Sequence, residues 1–558
     1  MSGFLGRVFD PASGVLYEHP DTEAIYAILQ LTLLFSKIAL PEDPLRESSA
    51  RPGKPVKVVS PARERLAMSE YVICEQDVKD ADARLDPDYL SDFKRMSAML
   101  FGELFSKVDR DVYWGRIVPK HGPGAVAERL TANGKYNQRT WTSRLQRVFP
   151  AEGFVIPNGR YTSRLKGNEF TILEPGSEIP VRVITVPKTL KTPRVIAIEP
   201  VAQQYVQQGL YRAILSAMQE DGFLSRVIGF RDQEPNRQMA CEGSLSGELA
   251  TLDLSEASDR VSNQHVLAMM EDWPHLSAAV QATRSRKADV PGFGVIRFAK
   301  FASMGSALCF PVEAMVFLTM IFLGIERELS TPLSRRKLKK LFSRRVRVFG
   351  DDLIVPRDYV LSVVSELETF GFRVNAGKSF WTGRFRESCG RMYFDGQDVS
   401  IVKVRQVLPT RRQSASEIIS ASEFRNLAYW AGLWKTAAWM DDLMGNLLKR
   451  YPNVGRKSSL LGRETALGYE YSTLDPHTFS PITKGYYKVG EPPVDRLDGI
   501  GALTKCLLQG HPSLGSFALD LGDVHPVDDL LPKVETDHLE RFGRPKHVGI
   551  KLGWRSPY

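Results

Sequence analysis

The chain has 558 residues, 43% of them hydrophobic and 25% charged, a balance that excludes a disordered or fibrous protein and leaves room for roughly two to four domain-sized units. Lysine and arginine outnumber aspartate and glutamate by 74 to 65, a formal net charge of +9, so a polyanionic partner is favoured wherever those cations cluster. Five scattered cysteines without a C-x-x-C pair, and nine histidines without ligand spacing, exclude a disulfide framework and a zinc site and point to a reducing compartment.

In chain order, the opening MSGFLGRVFDP lacks the pattern of a signal peptide. AIYAILQLTLLF (24–35) reads as a buried helix, shorter than the ~20 residues a bilayer requires. The Pro-, Ser- and charge-rich stretch 41–65 reads as an exposed connector. Next, RVITVPKTLKTPRVIAIEP (182–200) carries Lys188, Lys191 and Arg194 on a proline-punctuated ribbon. That spacing suits a triphosphate, although a surface hairpin with solvated cations is the plainer reading.

LATLDLSEASDRVS (249–262) reads as a strand ending near Asp253, then a turn into a helix for which Ser258 or Asp259 serves as N-cap. In FASMGSALCFPVEAMVFLTM (301–320), the small residues Ala302, Ser303, Gly305 and Ser306 form a tight loop that lets backbone approach a ligand. The apolar run that follows, with AMVFLTMIFLGI at 314–325, reads as a buried helix too short to span a membrane. SRRKLKKLFSRRVRVF (334–349) gathers eight cations. It is either a solvated helix face with Leu338, Leu341 and Phe342 turned inward or a phosphate-facing rim.

RVRVFGDDLIVP (345–356) is a β-hairpin pattern with Gly350-Asp351-Asp352 at its tip. FGFRVNAGKSFWTG (370–383) contains a Gly-Lys-Ser triplet, but a P-loop requires glycine at the position of Phe372, which excludes a P-loop ATPase. After about 405 helical periodicity dominates, and from about 465 proline and glycine leave few clear elements. Short strands alternating with helical patterns predict an α/β or α+β core.

Adjacent carboxylates in an apolar strand repel one another and require compensation. If the strand carrying Asp253 lies beside the hairpin carrying Asp351 and Asp352, three carboxylates converge. Such a set binds two divalent cations about 3.5–4 Å apart, the arrangement for in-line phosphoryl displacement.

Taken in order, TVPKTLKTPR, DLSEASD, SMGS, FGDD and FRESCG (385–390) resemble the motifs of the RNA-dependent RNA polymerases of single-stranded RNA bacteriophages, the levivirus group. HGPGAVAE (121–128) and RDQEPNRQMA (231–240) extend the likeness, which covers about 120–405. Ser306 stands where that group has Asn, Cys309 where it has Thr and Pro311 where it has Glu. These departures lean toward the related narnavirus and mitovirus replicases.

The resemblance implies an α+β right-hand polymerase fold with fingers, a palm of antiparallel sheet and helices, and a mainly helical thumb. It places an N-terminal region and part of the fingers in 1–170, fingers with the basic ribbon in 171–250, the palm in 251–405, and the thumb with a C-terminal extension in 406–558. It implies RNA-directed RNA synthesis with two Mg2+ ions, for which Mn2+ can substitute, held by Asp253 and Asp351 with Asp352 in support. Lys378 takes the place of a general acid for pyrophosphate. Lys188, Lys191, Arg194, Asp259, Ser303, Gly305 and Ser306 would bind the nucleoside triphosphate. Implied partners are single-stranded RNA template, nascent RNA, ribonucleoside triphosphates and host translation factors (elongation factors Tu and Ts, a small-subunit ribosomal protein). The implied setting is the cytoplasm of an infected bacterium, without a membrane. A reverse transcriptase, a two-metal nuclease and a non-catalytic RNA-binding scaffold are the rival readings.

Overall fold

The computed structural model describes residues 3–39, 43–48, 51–56, 61–156, 170–186, 192–491, 498–510 and 547–558. Two long helices come early: α1 (Pro61–Arg84) and α2 (Pro87–Tyr113). Asp86 caps α2 by accepting the Asp88 N–H at 2.9 Å, with Pro87 at the first helical position, where its missing N–H costs nothing. Phe93, Met96, Leu100, Leu104 and Val108 then recur at three- and four-residue intervals and are all buried, an amphipathic stripe facing the core.

The cationic ribbon is a hairpin, β1 (Val181–Val186) and β2 (Arg194–Ile198), followed by α3 (Val201–Glu220). Then come β3 (Leu249–Ser255), the one-turn helix α4 (Ala257–Arg260), β4 (Lys287–Val290) and β5 (Gly294–Arg297). One mixed sheet has the order β2-β1-β4-β5, with β1 and β4 parallel.

The central helix α5 (Cys309–Leu329) is apolar all round, and most of it from Cys309 to Ile325 is buried. It is longer than the 314–325 run read from the sequence. By length and composition its 21 residues could cross a membrane, but 89% of its most apolar window lies inside the fold. Pro311 is tolerated because it sits in the first turn.

After α5 come α6 (Arg335–Phe342), β6 (Arg347–Phe349), β7 (Asp352–Pro356), α7 (Val360–Thr369), β8 (Arg373–Val374), β9 (Phe385–Ser388) and β10 (Arg391–Phe394). The second sheet has the order β6-β7-β3-β8 and is antiparallel throughout. In its middle strands Leu353, Ile354 and Val355 of β7, and Leu249, Ala250 and Leu252 of β3, are buried. A run without alternation is what a strand covered on both faces requires. Sheet, α2, α3 and α5 share one core.

Helices α8 (Ala415–Trp430) and α9 (Trp434–Leu448) build a second core with Val402 and Val404. The N-terminal helix Thr22–Leu33 is tied to it, since the Gln30 side chain donates to Val402 O at 2.8 Å and accepts from Val402 N at 2.9 Å.

Four readings are corrected. Helix Thr22–Leu33 is a surface element, with Leu31 70% exposed and only Ala24 and Gln30 buried. Within the supposed connector 41–65, Asp43–Ser48 and Arg51–Val56 pair as antiparallel strands, and α1 begins at Pro61. Leu341 of α6 is exposed, because a single turn separates the inward Leu338 and Phe342 and leaves no third inward position. The supposedly element-poor tail contains Pro481–Glu491 paired with His547–Arg555; glycines and lysines among its tyrosines hide the strand alternation.

Candidate active site

The β6–β7 hairpin turns through Gly350 and Asp351, flanked by the pair Phe349 and Asp352. Gly350 has φ 59°, and a Cβ there would lie 2.6 Å from the Phe310 ring, so the turn requires glycine on two counts. Asp352 is therefore the first residue of β7 rather than part of the tip. Its register partner on β3 is Asp253, and directly opposed residues project to the same face. Strand β3 continues to Ser255, so Asp253 lies inside the strand and not at its end.

The Asp352 carboxylate accepts the Cys389 N–H at 3.0 Å and the Ser388 hydroxyl at 3.3 Å. Burial pushes its pKa up to about 6, reinforced by the charges of Asp351 and Asp253 and opposed by the Cys389 N–H. Asp253 Oδ2 accepts from Asn375 Nδ2 at 2.9 Å and lies 3.7 Å from Lys378 Nζ. Asp351 is exposed at the turn.

Among the described residues, no three His, Cys, Asp or Glu side chains are gathered closely enough to form a ready metal-ligand set. The donors nevertheless fit hard divalent cations such as Mg2+: they are carboxylate oxygens, and a cation would offset the burial and the neighbouring charges of Asp351 and Asp253 that raise Asp352.

Asp259 is not an N-cap. Helix α4 starts from Glu256 in the left-handed conformation (φ 54°) without a side-chain cap. The Ser258 hydroxyl instead donates to Glu313 of α5. Asp259 Oδ1 accepts from Lys300 Nζ at 2.9 Å and Ser303 Oγ at 2.6 Å. Lys300 is fully buried, pairs with Glu75 Oε1 at 2.9 Å and sits 3.5 Å from the centroid of the Tyr71 ring. Burial alone would strip its proton; Asp259, Tyr71 and Glu75 outweigh that and hold it well above the ordinary lysine value. Burial also pushes Glu313 up to about 8, opposed by Ser258 and aided by Asp351 and Asp259.

The Ser-Met-Gly-Ser loop lies against β2, where Ala197 N donates to Met304 O at 2.8 Å. Gly305 has φ 130°, and a Cβ there would come within 1.8 Å of Ala197 O. Ser306 Oγ donates to Gln207 Oε1 of α3 at 3.2 Å, so the hydroxyl on Asp259 belongs to Ser303 and not to Ser306. Of the expected ribbon cations, Arg194 is placed; Lys188 and Lys191 lie outside the described residues.

A cleft of about 710 Å³ brings together Asp253, Asp351, Asp259, Arg194, Gly305, Ser306 and Lys378, with Asp352 joined to it as the register partner of Asp253 and Ser303 by its bond to Asp259. Sequence reasoning missed Glu313, Lys300, Asn375 and the contribution of α1, whose Glu70, Tyr71 and Cys74 also line the cleft. Lys300 left a signal, a lone lysine in the apolar stretch FAKFASMG. Glu75 and Tyr71 left none, because only folding brings them to the site.

The model of the family "RNA replicase, beta-chain" matches residues 177–418. The chain is 29% identical over 391 residues to the RNA-directed RNA polymerase subunit beta of Escherichia virus Qbeta, covering 67% of this chain and 60% of that protein. It is 35% identical over 256 residues to the corresponding subunit of Qbeta virus strain MX1 (45% of this chain, 40% of that one). With the beta chain of Escherichia phage MS2 it shares 32% over 217 residues (39% and 36%). The expected likeness to single-stranded RNA phage replicases is thus borne out, and the chain spans less than two thirds of the length of each of these relatives. Among solved structures, the insertion-loop deletion mutant of a human picorbirnavirus RNA-dependent RNA polymerase overlays with TM-score 0.30 and 14% identity, over 39% of this chain and 44% of that one. A structure titled "RdRp complex" overlays with TM-score 0.39 and 12% identity, over 65% and 34%.

Proposed function

We propose that the chain is an RNA-directed RNA polymerase that copies a single-stranded RNA genome inside an infected bacterium. The observation that carries this reading is the in-register pair Asp253 and Asp352, with Asp351 in the adjoining turn, beside a cleft that also holds Arg194, Asp259 and the Gly305 loop. In this reading the β6-β7-β3-β8 sheet with α5 is the palm of about 251–405, β3 beginning two residues earlier at Leu249, and α8 and α9 belong to a thumb in 406–558. The β1–β2 ribbon belongs to fingers in 171–250, completed by the region 1–170.

Asp253, Asp351 and Asp352 would hold divalent cations, which supply a lowered pKa at the attacking 3′-hydroxyl and neutralise the leaving pyrophosphate. The 3′-oxygen forms a bond to the α-phosphorus as the bridge to the β-phosphate breaks. Arg194 would hold the triphosphate in line through charge-assisted bonds, joined by Lys188 and Lys191, which lie outside the described residues. Lys378, 3.7 Å from Asp253, would give a proton to the departing pyrophosphate. Asp259, held by Ser303, would face the sugar; the Ser306 hydroxyl is engaged by Gln207, so Ser306 would line that side of the cleft, and Gly305 would keep the loop backbone close. Single-stranded RNA template and ribonucleoside triphosphates are the substrates, and host translation factors are the proposed accessory partners.

The test is template-directed synthesis by the purified chain with Mg2+, a defined RNA and either ribo- or deoxyribonucleotides. Incorporation of ribonucleotides complementary to the template supports the reading. Exclusive use of deoxyribonucleotides, or degradation of RNA without synthesis, overturns it.

A further inference from the structure

A buried lysine between two carboxylates is a costly arrangement, and an apolar side chain of similar size would serve packing better. Lys300 is held from two sides by α1: Glu75 Oε1 binds its ammonium at 2.9 Å, and the Tyr71 ring lies 3.5 Å beneath it. Glu75 Oε2 also accepts the Ala299 N–H at 2.7 Å, which fixes the backbone on which Lys300 stands. Tyr71 OH donates to Ser303 Oγ at 3.1 Å, directing that hydroxyl onto Asp259. Helix α1 grips the same turn elsewhere: Cys74 Sγ meets Asp259 O at 3.6 Å, Asp77 pairs with Arg260 at 3.0 Å, and Asp82 accepts from Ser262 at 2.6 Å. The hydrogen bonds from Lys300 and Ser303 to the Asp259 carboxylate converge on Oδ1, and Asp259 lines the cleft.

We propose that Lys300 is a positioning residue: anchored by Glu75 and Tyr71, it locks the Asp259 carboxylate into the one rotamer that presents Oδ2 to the sugar hydroxyl, and so sets the preference for ribonucleotides over deoxyribonucleotides. The proposal rests on the polymerase reading above. An acceptor fixed toward the 2′-hydroxyl is left unpaired when the deoxy analogue binds, which is the source of large discrimination. A carboxylate free to rotate finds solvent instead and loses that penalty.

The experiment measures single-nucleotide incorporation of GTP and dGTP on an RNA template for the full chain. The variants are Lys300→Met, the charge-balanced pair Glu75→Gln with Lys300→Met, Tyr71→Phe, and Asp259→Ala as reference. The ratio of kcat/KM for GTP to that for dGTP should fall about tenfold in both Lys300 variants and roughly twofold in Tyr71→Phe. Adding Lys300→Met to Asp259→Ala should lower the ratio no further, because both act through one carboxylate. A purely structural role would depress both nucleotides alike and leave the ratio unmoved, which overturns the assignment. Should Lys300→Met not fold, the balanced pair and Tyr71→Phe decide by the same ratio. If the unaltered chain incorporates nothing even when supplied with bacterial translation factors, the polymerase reading falls; if it is selective and every variant is equally selective, only the role of Lys300 falls.

Discussion

Asp253 and Asp352 stand directly opposite each other on neighbouring antiparallel strands. The register of that pair, from Leu249 opposite Pro356 to Asp253 opposite Asp352, is fixed by apolar residues on both strands. A slip of one residue would send one carboxylate to the other face of the sheet and leave it without its counterpart. The acidic site is therefore as secure as the core beneath it.

Asp351→Asn should lower nucleotide incorporation at least ~100-fold while leaving RNA affinity within about twofold, since it removes charge from the acidic set and nothing from the basic surface. Primer extension and filter binding on the same preparations check both halves. Wild-type elongation by this variant would remove Asp351 from the chemistry.

Gly305→Ala should cost on the order of 3 kcal/mol or displace the loop from β2, because the added methyl would lie 1.8 Å from Ala197 O in a backbone conformation that disfavours side chains. Urea unfolding measures the first effect and nucleotide incorporation the second. Stability and activity both equal to wild type would contradict the close approach of loop and strand.

The cations of α6 divide into two groups. Arg335 is pinned to Asp221 and to the carbonyls of Met99 and Leu100, whereas Arg336, Lys337, Lys339 and Lys340 are exposed. Arg335→Gln should lower thermal stability. Neutralising the other four should flatten the dependence of log affinity for RNA on log salt by ~0.7 per lost phosphate contact, if the exposed face meets RNA. An unchanged slope assigns that face to solvent.

Burial pushes Glu313 up to about 8 in the folded chain, from the ordinary 4.5, helped by the charges of Asp351 and Asp259. Its neutral form therefore contributes stability that is fully present below about pH 4.5 and is lost as pH rises through about 8. Glu313→Gln keeps an acceptor for Ser258 and removes the titration. Metal-free wild type should lose on the order of a few kcal/mol more than the variant between roughly pH 6 and pH 9. Parallel pH profiles in denaturant unfolding would show that Glu313 is ionised throughout.

Much of the acidic site was legible in the chain because adjacent carboxylates inside an apolar strand demand an explanation. The Gly350 turn, the loop before α5 and the β1–β2 ribbon were legible for the same kind of reason: each departs from the local pattern. What failed depended on distance. Asp259 looked like a helix cap because capping is a local role, and its partners Lys300 and Ser303 lie 41 and 44 residues away. Motif spacing gave no hint which serine of the loop meets Asp259: Ser303 does, while Ser306 turns its hydroxyl to Gln207. The helix at Thr22–Leu33 was misjudged because its apolar residues number enough for burial but meet too few neighbours to be buried. The strand at Pro481–Glu491 was missed because its partner lies far along the chain.

The clasp between α1 and the Lys300 loop also has a consequence in time. Glu75 and the backbone it binds at Lys300 are 225 positions apart. At a synthesis rate of ~5–20 residues per second, a ribosome needs on the order of ten to fifty seconds to deliver the second after the first. For most of that interval a nascent chain carries the carboxylates of Glu75, Asp77 and Asp82 without Arg260, Ser262 or Lys300. A ribosome paused before Lys300 holds a helix whose clasp cannot close, so slow codons in that stretch should raise the yield of protease-sensitive chains, whereas slow codons near the end of the chain should not.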